Sequence, residues 1–319
     1  TADAAYWQSA IAKFGPLPPG IDDPGKIAEA LSGHEDEDDE AGASARLRLH
    51  VDLALTTLTS PRIEEIPPDL VPTVVEIGLH APGNVAWRAL GRLLRPGHSV
   101  TPAAHWLAAA TLASGFRSLF NRSEAIGILD KHLPDAHYWR AILTYCAWGD
   151  LQAVLDEHLH HLAIAEGLTA PLDDESLMSL AKAVRSTLAL RPSTYRAFDP
   201  HRPSKRISFT SRFALRYGTG KQADESARLP EIRAAFNSPF WPWVLATTSA
   251  GQEGIDFHWW CHSIVHWNTP PNPVDFEQRE GRVNRYSGLA IRKNLAHRHR
   301  AAILASDTAN PWDAAYELG

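Results

Sequence analysis

Three prolines within twelve residues, Pro192, Pro200 and Pro203, interrupt the chain where its hydrophobic texture changes, and no continuous helix can cross them. Before this point apolar residues recur at helical spacing in AAHWLAAATLASGFRSLF (103–120), HYWRAILTYCAW (137–148), LQAVLDEHLHHLAIA (151–165) and ESLMSLAKAVRSTLAL (175–190). Residues 26–190 therefore read as helices, broken by the acidic run HEDEDDE (34–40) and by loop signals at IPPDLVP (66–72) and APGN (81–84). After the prolines come short β-branched or aromatic runs, FTSRFALRY (209–217), VLATT (244–248) and SIVHW (263–267), with a helical stretch at 224–237 and Gly/Pro turns between them. That order predicts an α/β fold: an open parallel sheet whose ligands gather at the carboxyl ends of its strands. The expected organisation is a mainly α-helical domain over 1–200 and an α/β domain over 201–319.

Composition narrows the setting. With 44% hydrophobic residues and 11 Trp, 319 residues suffice for two buried cores. No stretch approaches the roughly 18–20 uncharged apolar residues of a membrane span, and the opening TADAAYWQSA lacks the basic and apolar blocks of a signal peptide. A soluble cytoplasmic protein is expected. Cys146 and Cys261 fit no paired metal-ligand spacing and read as free thiols without a catalytic role. The chain starts at Thr1 and its one methionine is Met178, so a piece of a longer polypeptide is expected. The net charge of −6 is uneven: from position 200 onward 15 Lys and Arg face 11 Asp and Glu, against 16 and 26 in the remainder. An anionic ligand should prefer the carboxy-terminal part.

Two segments there carry chemistry. In VLATTSAGQEGIDF (244–257) an apolar run leads into Thr247, Thr248 and Ser249, then Gly251, Gly254 and Asp256. Such a turn offers hydroxyls and backbone N–H groups to phosphate oxygens, glycine permits close approach, and a carboxylate can accept from a ribose hydroxyl. In NPVDFEQREGRVNR (272–285) Asn272, Pro273 and Asp275 start a helix, on which Gln278, Arg282 and Arg285 fall at i, i+4 and i+7 and share a face. Two guanidiniums projecting beside Gly281 suit a transferring phosphoryl group; the structural alternative is a pair of surface arginines bridging Glu277 or Glu280.

These segments resemble two linked motifs of superfamily-two helicases. ATTSAGQEGIDF looks like motif V, and QREGRVNR looks like motif VI, QxxGRxxR, with SIVHW and NTPPNP between them; RFALRYG and RLPEIRAAFN resemble what precedes motif V. The texture is most similar to bacterial Snf-type ATPases, and the likeness covers about residues 207–288. Where the Snf pattern continues Arg-x-Gly-Gln, this chain has Arg285-Tyr286-Ser287-Gly288. The resemblance implies a RecA-like carboxy-terminal lobe of an ATP-driven DNA or RNA translocase. Arg285 would be its arginine finger, Arg282 a second γ-phosphate contact and Gln278 a nucleotide-positioning group. Thr247, Thr248 and Ser249 would touch nucleic-acid phosphate, while Gly254 and Asp256 would face the nucleotide cleft. ATP and Mg would be bound mainly by the first RecA-like lobe of the same protein, so this chain alone should not turn over ATP.

Other features read more plainly. YGTGKQ (217–222) lacks the first glycine and the hydroxyl of a phosphate loop. Glu157 and His160 have E-x-x-H spacing without a second pair, so the histidines of LDEHLHH (155–161) read as satisfied helix-surface groups and no metal site is expected. The basic tail RKNLAHRHR (292–300) fits either a nucleic-acid backbone or an ordinary cationic helix end. The alternative function is a non-catalytic adaptor with a degenerate lobe and a helical domain that binds a protein.

Overall fold

A computed structural model describes residue 49 and residues 68–168, 171–190, 193–199, 201–211, 223–240, 242–246 and 257–319. The chain falls into two compact units, Thr1–Arg185 and Ser186–Gly319.

The described part of the first unit is helical: α1 Leu70–His80, α2 Pro82–Gly91, α3 Pro102–Phe120, α4 Ser123–His132, α5 Tyr138–Trp148, α6 Leu151–Ala165 and α7 Asp174–Leu188. The periodicity over 103–190 is realised in α3, α5, α6 and α7. Helix α3 begins where Thr101 accepts a hydrogen bond from Ala104 N and Pro102 takes the first helical position. Thr101 is itself held from α7, its N and Oγ1 donating to the Asp174 carboxylate at 2.7 and 2.9 Å. Alanines bring α2 and α3 together, with Ala86, Ala89, Ala108 and Ala109 all buried. Around them Leu90, Leu112, Phe116, Leu155, Leu159, Leu177 and Leu180 form the interior, each worth about 1.5–3 kcal/mol of apolar burial.

Polar groups fix the order of these helices. Arg92 pairs with the buried Asp156 of α6, which also accepts from Gln152. Burial pushes the Asp156 carboxyl above its ordinary value, against the pull of Arg92 and Gln152. Arg88 donates to Gln152 and, at 2.5 Å each, to the Gly78 and Leu79 carbonyls, closing the carboxyl end of α1 where a cation is favoured. His158, His160 and His161 are buried at 4, 5 and 1% exposure, correcting the expectation of surface histidines. The reason is the helix's setting: α6 is packed on α2 and α5, and its inward stripe is wide enough to take in polar positions as well as Leu155 and Leu159. Burial also drives the Cys146 thiol up to about 12, so it stays protonated at neutral pH.

In the second unit the described elements are β1 Ser193–Asp199, β2 Arg202–Ser211, α8 Ala223–Phe236, α9 Pro273–Glu280, α10 Leu289–Leu304 and α11 Pro311–Leu318. Among the described residues there is no parallel sheet, which overturns the expected RecA-like α/β lobe. The only strands among the described residues, β1 and β2, pair antiparallel, from Ser193 opposite Ser211 to Asp199 opposite Arg202, with an irregularity at Phe198 and Asp199. Pro203 lies one residue into β2, near a strand end, where a two-stranded ribbon tolerates a missing donor. The stretch read as a break in helix continuation thus carries an antiparallel strand pair.

SIVHW is not a strand either. Val265 and Trp267 are 90 and 95% exposed on alternate positions, whereas an inner parallel strand is covered on both faces. Residues 212–217 and 247–248 of the other two runs lie outside the described residues, as do YGTGKQ and the acidic run. Among the described residues no helix is long and apolar enough to cross a membrane.

His105 gives stability a dependence on pH. His105 is buried, stacked on Trp87 at 3.8 Å with its Nε2 2.9 Å from the Trp87 carbonyl, and burial holds it below its ordinary 6.5. Just below pH 6.5 the unfolded chain binds a proton there that the folded chain refuses, so stability falls as pH falls. The thermal midpoint should drop between about pH 7.5 and 5.5, and His105→Gln should narrow that drop by removing this titration. Asp156 contributes with opposite sign but is common to both proteins, so an unchanged difference in His105→Gln contradicts the assignment.

Candidate functional site

The second chemical segment begins as expected. Asn272 Oδ1 accepts from Val274 N at 3.0 Å, Pro273 occupies the first position of α9 and Asp275 lies in its first turn. The helix then stops at Glu280, so Gln278, Arg282 and Arg285 do not share the face of one helix. Gln278 is exposed on α9, while Arg282 and Arg285 lie in the turns beyond it, half-buried and exposed respectively. The cause is local: Arg282 N bonds Arg279 O and Val283 N bonds Glu280 O, three residues back, which tightens the winding past the point where the helix continues.

The turn nevertheless ties Arg285 back to the backbone beside Arg282. Arg285 Nε donates at 3.0 Å to the Gly281 carbonyl, which belongs to the peptide leading into Arg282. That bond anchors the Arg285 guanidinium at one end and sets the plane of its fork. Arg279 donates elsewhere, to the Asn268 carbonyl at 3.2 Å. Val283, between the arginines, turns inward against Phe236 and Phe257, whose rings meet edge to face at 5.4 Å, with Leu245 and Cys261 alongside.

The first chemical segment joins the same turn. Thr247, Thr248, Ser249, Gly254 and Asp256 lie outside the described residues. Phe257, the residue after Asp256, donates its N–H to the Arg282 carbonyl at 3.2 Å, and Leu289 N donates to the His258 carbonyl at 2.9 Å. The chain leaving the first segment is therefore bonded at two points to the stretch that carries Arg282 and Arg285.

Three residues of this junction were not singled out from sequence. Ser287 has φ +59°, the left-handed region, although it is not glycine, and it is buried. Gly288 is required by close approach, since a Cβ there would meet the Arg285 carbonyl at 2.8 Å. Arg292, read as the start of a basic tail, is completely buried on α10. The local signal was the Ser-Gly pair before α10; nothing in the run RKNLAHRHR marks its first arginine as interior.

Among the described residues no three His, Cys, Asp or Glu side chains gather in a way that could hold a metal ion. Guanidiniums, by contrast, match phosphate or carboxylate oxygens. Comparison of the chain with protein-family models, with curated proteins and with solved structures finds no match.

The turn should respond to substitution by conformation and space. Ser287→Val, a β-branched residue forced to positive φ, should destabilise the protein by about 1–3 kcal/mol, and Gly288→Ala by a similar amount of about 1–3 kcal/mol from crowding. Ser287→Gly should stay within about 1 kcal/mol of the parent. Denaturant midpoints for the three variants check this; equal stabilities for Ser287→Val and Ser287→Gly contradict the left-handed backbone.

Proposed function

We propose that this chain contributes the phosphate-sensing part of a nucleic-acid-dependent ATPase, a helicase or translocase acting on DNA or RNA. The observation that carries the reading is the Phe257 N to Arg282 O bond. It joins the chain emerging from the Thr247–Asp256 segment to the turn that holds Arg282 and Arg285. In this reading Arg285 and Arg282 neutralise the charge that develops on the γ-phosphoryl oxygens as the bond to the β-phosphate breaks. Gln278 helps position the nucleotide, with Gly254 and Asp256 near the ribose. Thr247, Thr248 and Ser249 accept the nucleic-acid backbone, and strand contact reaches the arginines through the Phe257 junction.

Mg neutralises the phosphates when bound. In this reading the arginines are ligands of phosphate, since a guanidinium has no lone pair to give a metal. The same reading places Mg and the β-phosphate on a first RecA-like lobe of the same protein. A non-catalytic adaptor remains the competing reading, and it assigns no chemical role to the arginines.

In the protein that includes that lobe, Arg285→Ala or Arg282→Ala should reduce nucleic-acid-stimulated ATP turnover by at least about a hundredfold, within the range an arginine finger supplies. Binding of nucleic acid should persist and weaken steeply with salt. Lys at either position should rescue poorly, because an ammonium cannot reproduce the planar fork. If the arginines are surface ion pairs of an adaptor, each variant shifts stability by under about 1 kcal/mol and no stimulated turnover depends on it. A folded Arg285→Ala protein with near-normal turnover contradicts the proposal.

A further inference from the structure

We infer that Arg292 is a positioning residue for the arginine turn, coupling it to the segment that approaches nucleic acid; this rests on the ATPase reading above. Arg292 is 0% exposed. Its Nη1 donates to the Ser287 carbonyl at 2.8 Å and its Nη2 to the Trp259 carbonyl at 2.6 Å, while the guanidinium carbon lies 4.9 Å from the centre of the Trp260 ring. One planar fork thus grips two stretches of backbone, one two residues after Arg285 and the other three residues after Asp256. A guanidinium is costly to take out of water, and the geometry here uses its two terminal donors to join separate segments rather than to fill space. A hydrophobic side chain of similar length would cover Trp260 as well, but it would leave both carbonyls without these donors.

The left-handed Ser287 explains why the grip matters. At φ +59° its peptide could relax toward ordinary backbone, and doing so would redirect the chain that leaves Arg285. Arg292 holds the carbonyl of that same residue, and its own N–H donates to the Gly288 carbonyl at 3.1 Å, so α10 begins against the turn it restrains. Leu289 N bonded to His258 O supplies the parallel backbone tie. Arg292 touches neither phosphate nor nucleic acid in this account. It acts by setting where Arg285 starts from, and a small displacement of a phosphate-clamping group is expensive in rate.

The test compares Arg292→Lys, Trp260→Leu and Arg285→Ala in the protein that includes the first lobe, with single-stranded and duplex DNA as activators. Arg292→Lys keeps the charge and can reach only one carbonyl well. It should lower kcat on the order of tenfold to a hundredfold, with KM for ATP and DNA affinity within about twofold of the parent. Trp260→Leu leaves both carbonyl bonds but removes the ring face, and should lower kcat less, in the same direction. If Arg292→Lys does not fold, the Trp260→Leu comparison carries the test alone. Folded variants with parental kcat, beside an inactive Arg285→Ala, overturn the positioning role and leave the ATPase reading standing. An active Arg285→Ala overturns that reading and this inference with it. A loss shared by KM, DNA affinity and thermal midpoint shows a merely structural residue and overturns the inference too.

Discussion

The second unit depends on how residues 257–261 are tied to residues 281–292. Two backbone bonds, Phe257 N to Arg282 O and Leu289 N to His258 O, bracket this junction, and the buried Arg292 fork closes it from a third side. Beneath it Phe236, Phe257 and Val283 supply the apolar contact that excludes water from those bonds. Hydrogen bonds that are individually modest gain weight when several are desolvated together, and a charged donor strengthens the set. The positions of Arg282 and Arg285, the left-handed turn at Ser287 and the start of α10 all follow from this junction.

The first unit is built on a different balance. Its helices close through alanine contacts and leucine burial, and its order is set by arginines at helix ends: Arg88 on the carbonyls of α1 and on Gln152, and Arg92 on Asp156. Both units thus use guanidiniums as connectors to backbone carbonyls or buried acceptors. In the first they hold helices in register. In the second the same chemistry holds a turn whose exposed Arg285 faces solvent.

Helical periodicity was legible because it is a local property repeated over many residues. The runs at 103–120, 137–148, 151–165 and 175–190 each became a helix, and the Asn272-Pro273 start of α9 followed from capping chemistry alone. The α/β expectation failed because short β-branched runs state only that a segment is extended. Whether SIVHW finds backbone partners is decided by distant residues, and its alternate side chains Val265 and Trp267 lie open. The strand pair was hidden by reading Pro203 as a break when a ribbon edge accepts proline. The single-face geometry of Gln278, Arg282 and Arg285 failed by extending α9 beyond Glu280, where three-residue bonding tightens the chain. Arg292 was illegible because a buried arginine and an exposed one look alike in a basic run; only the carbonyls of Trp259 and Ser287 reveal its place.

Amide hydrogen exchange read residue by residue across 257–292 tests the junction most directly. If the two segments form one unit, the Phe257 and Leu289 amides exchange slowly and open together with the amide of Arg292 at the start of α10, at a common free energy. Exchange of Phe257 and Leu289 at the rate of open chain, while the interior of α10 stays protected, would contradict the account and detach Arg282 and Arg285 from the segment proposed to approach nucleic acid.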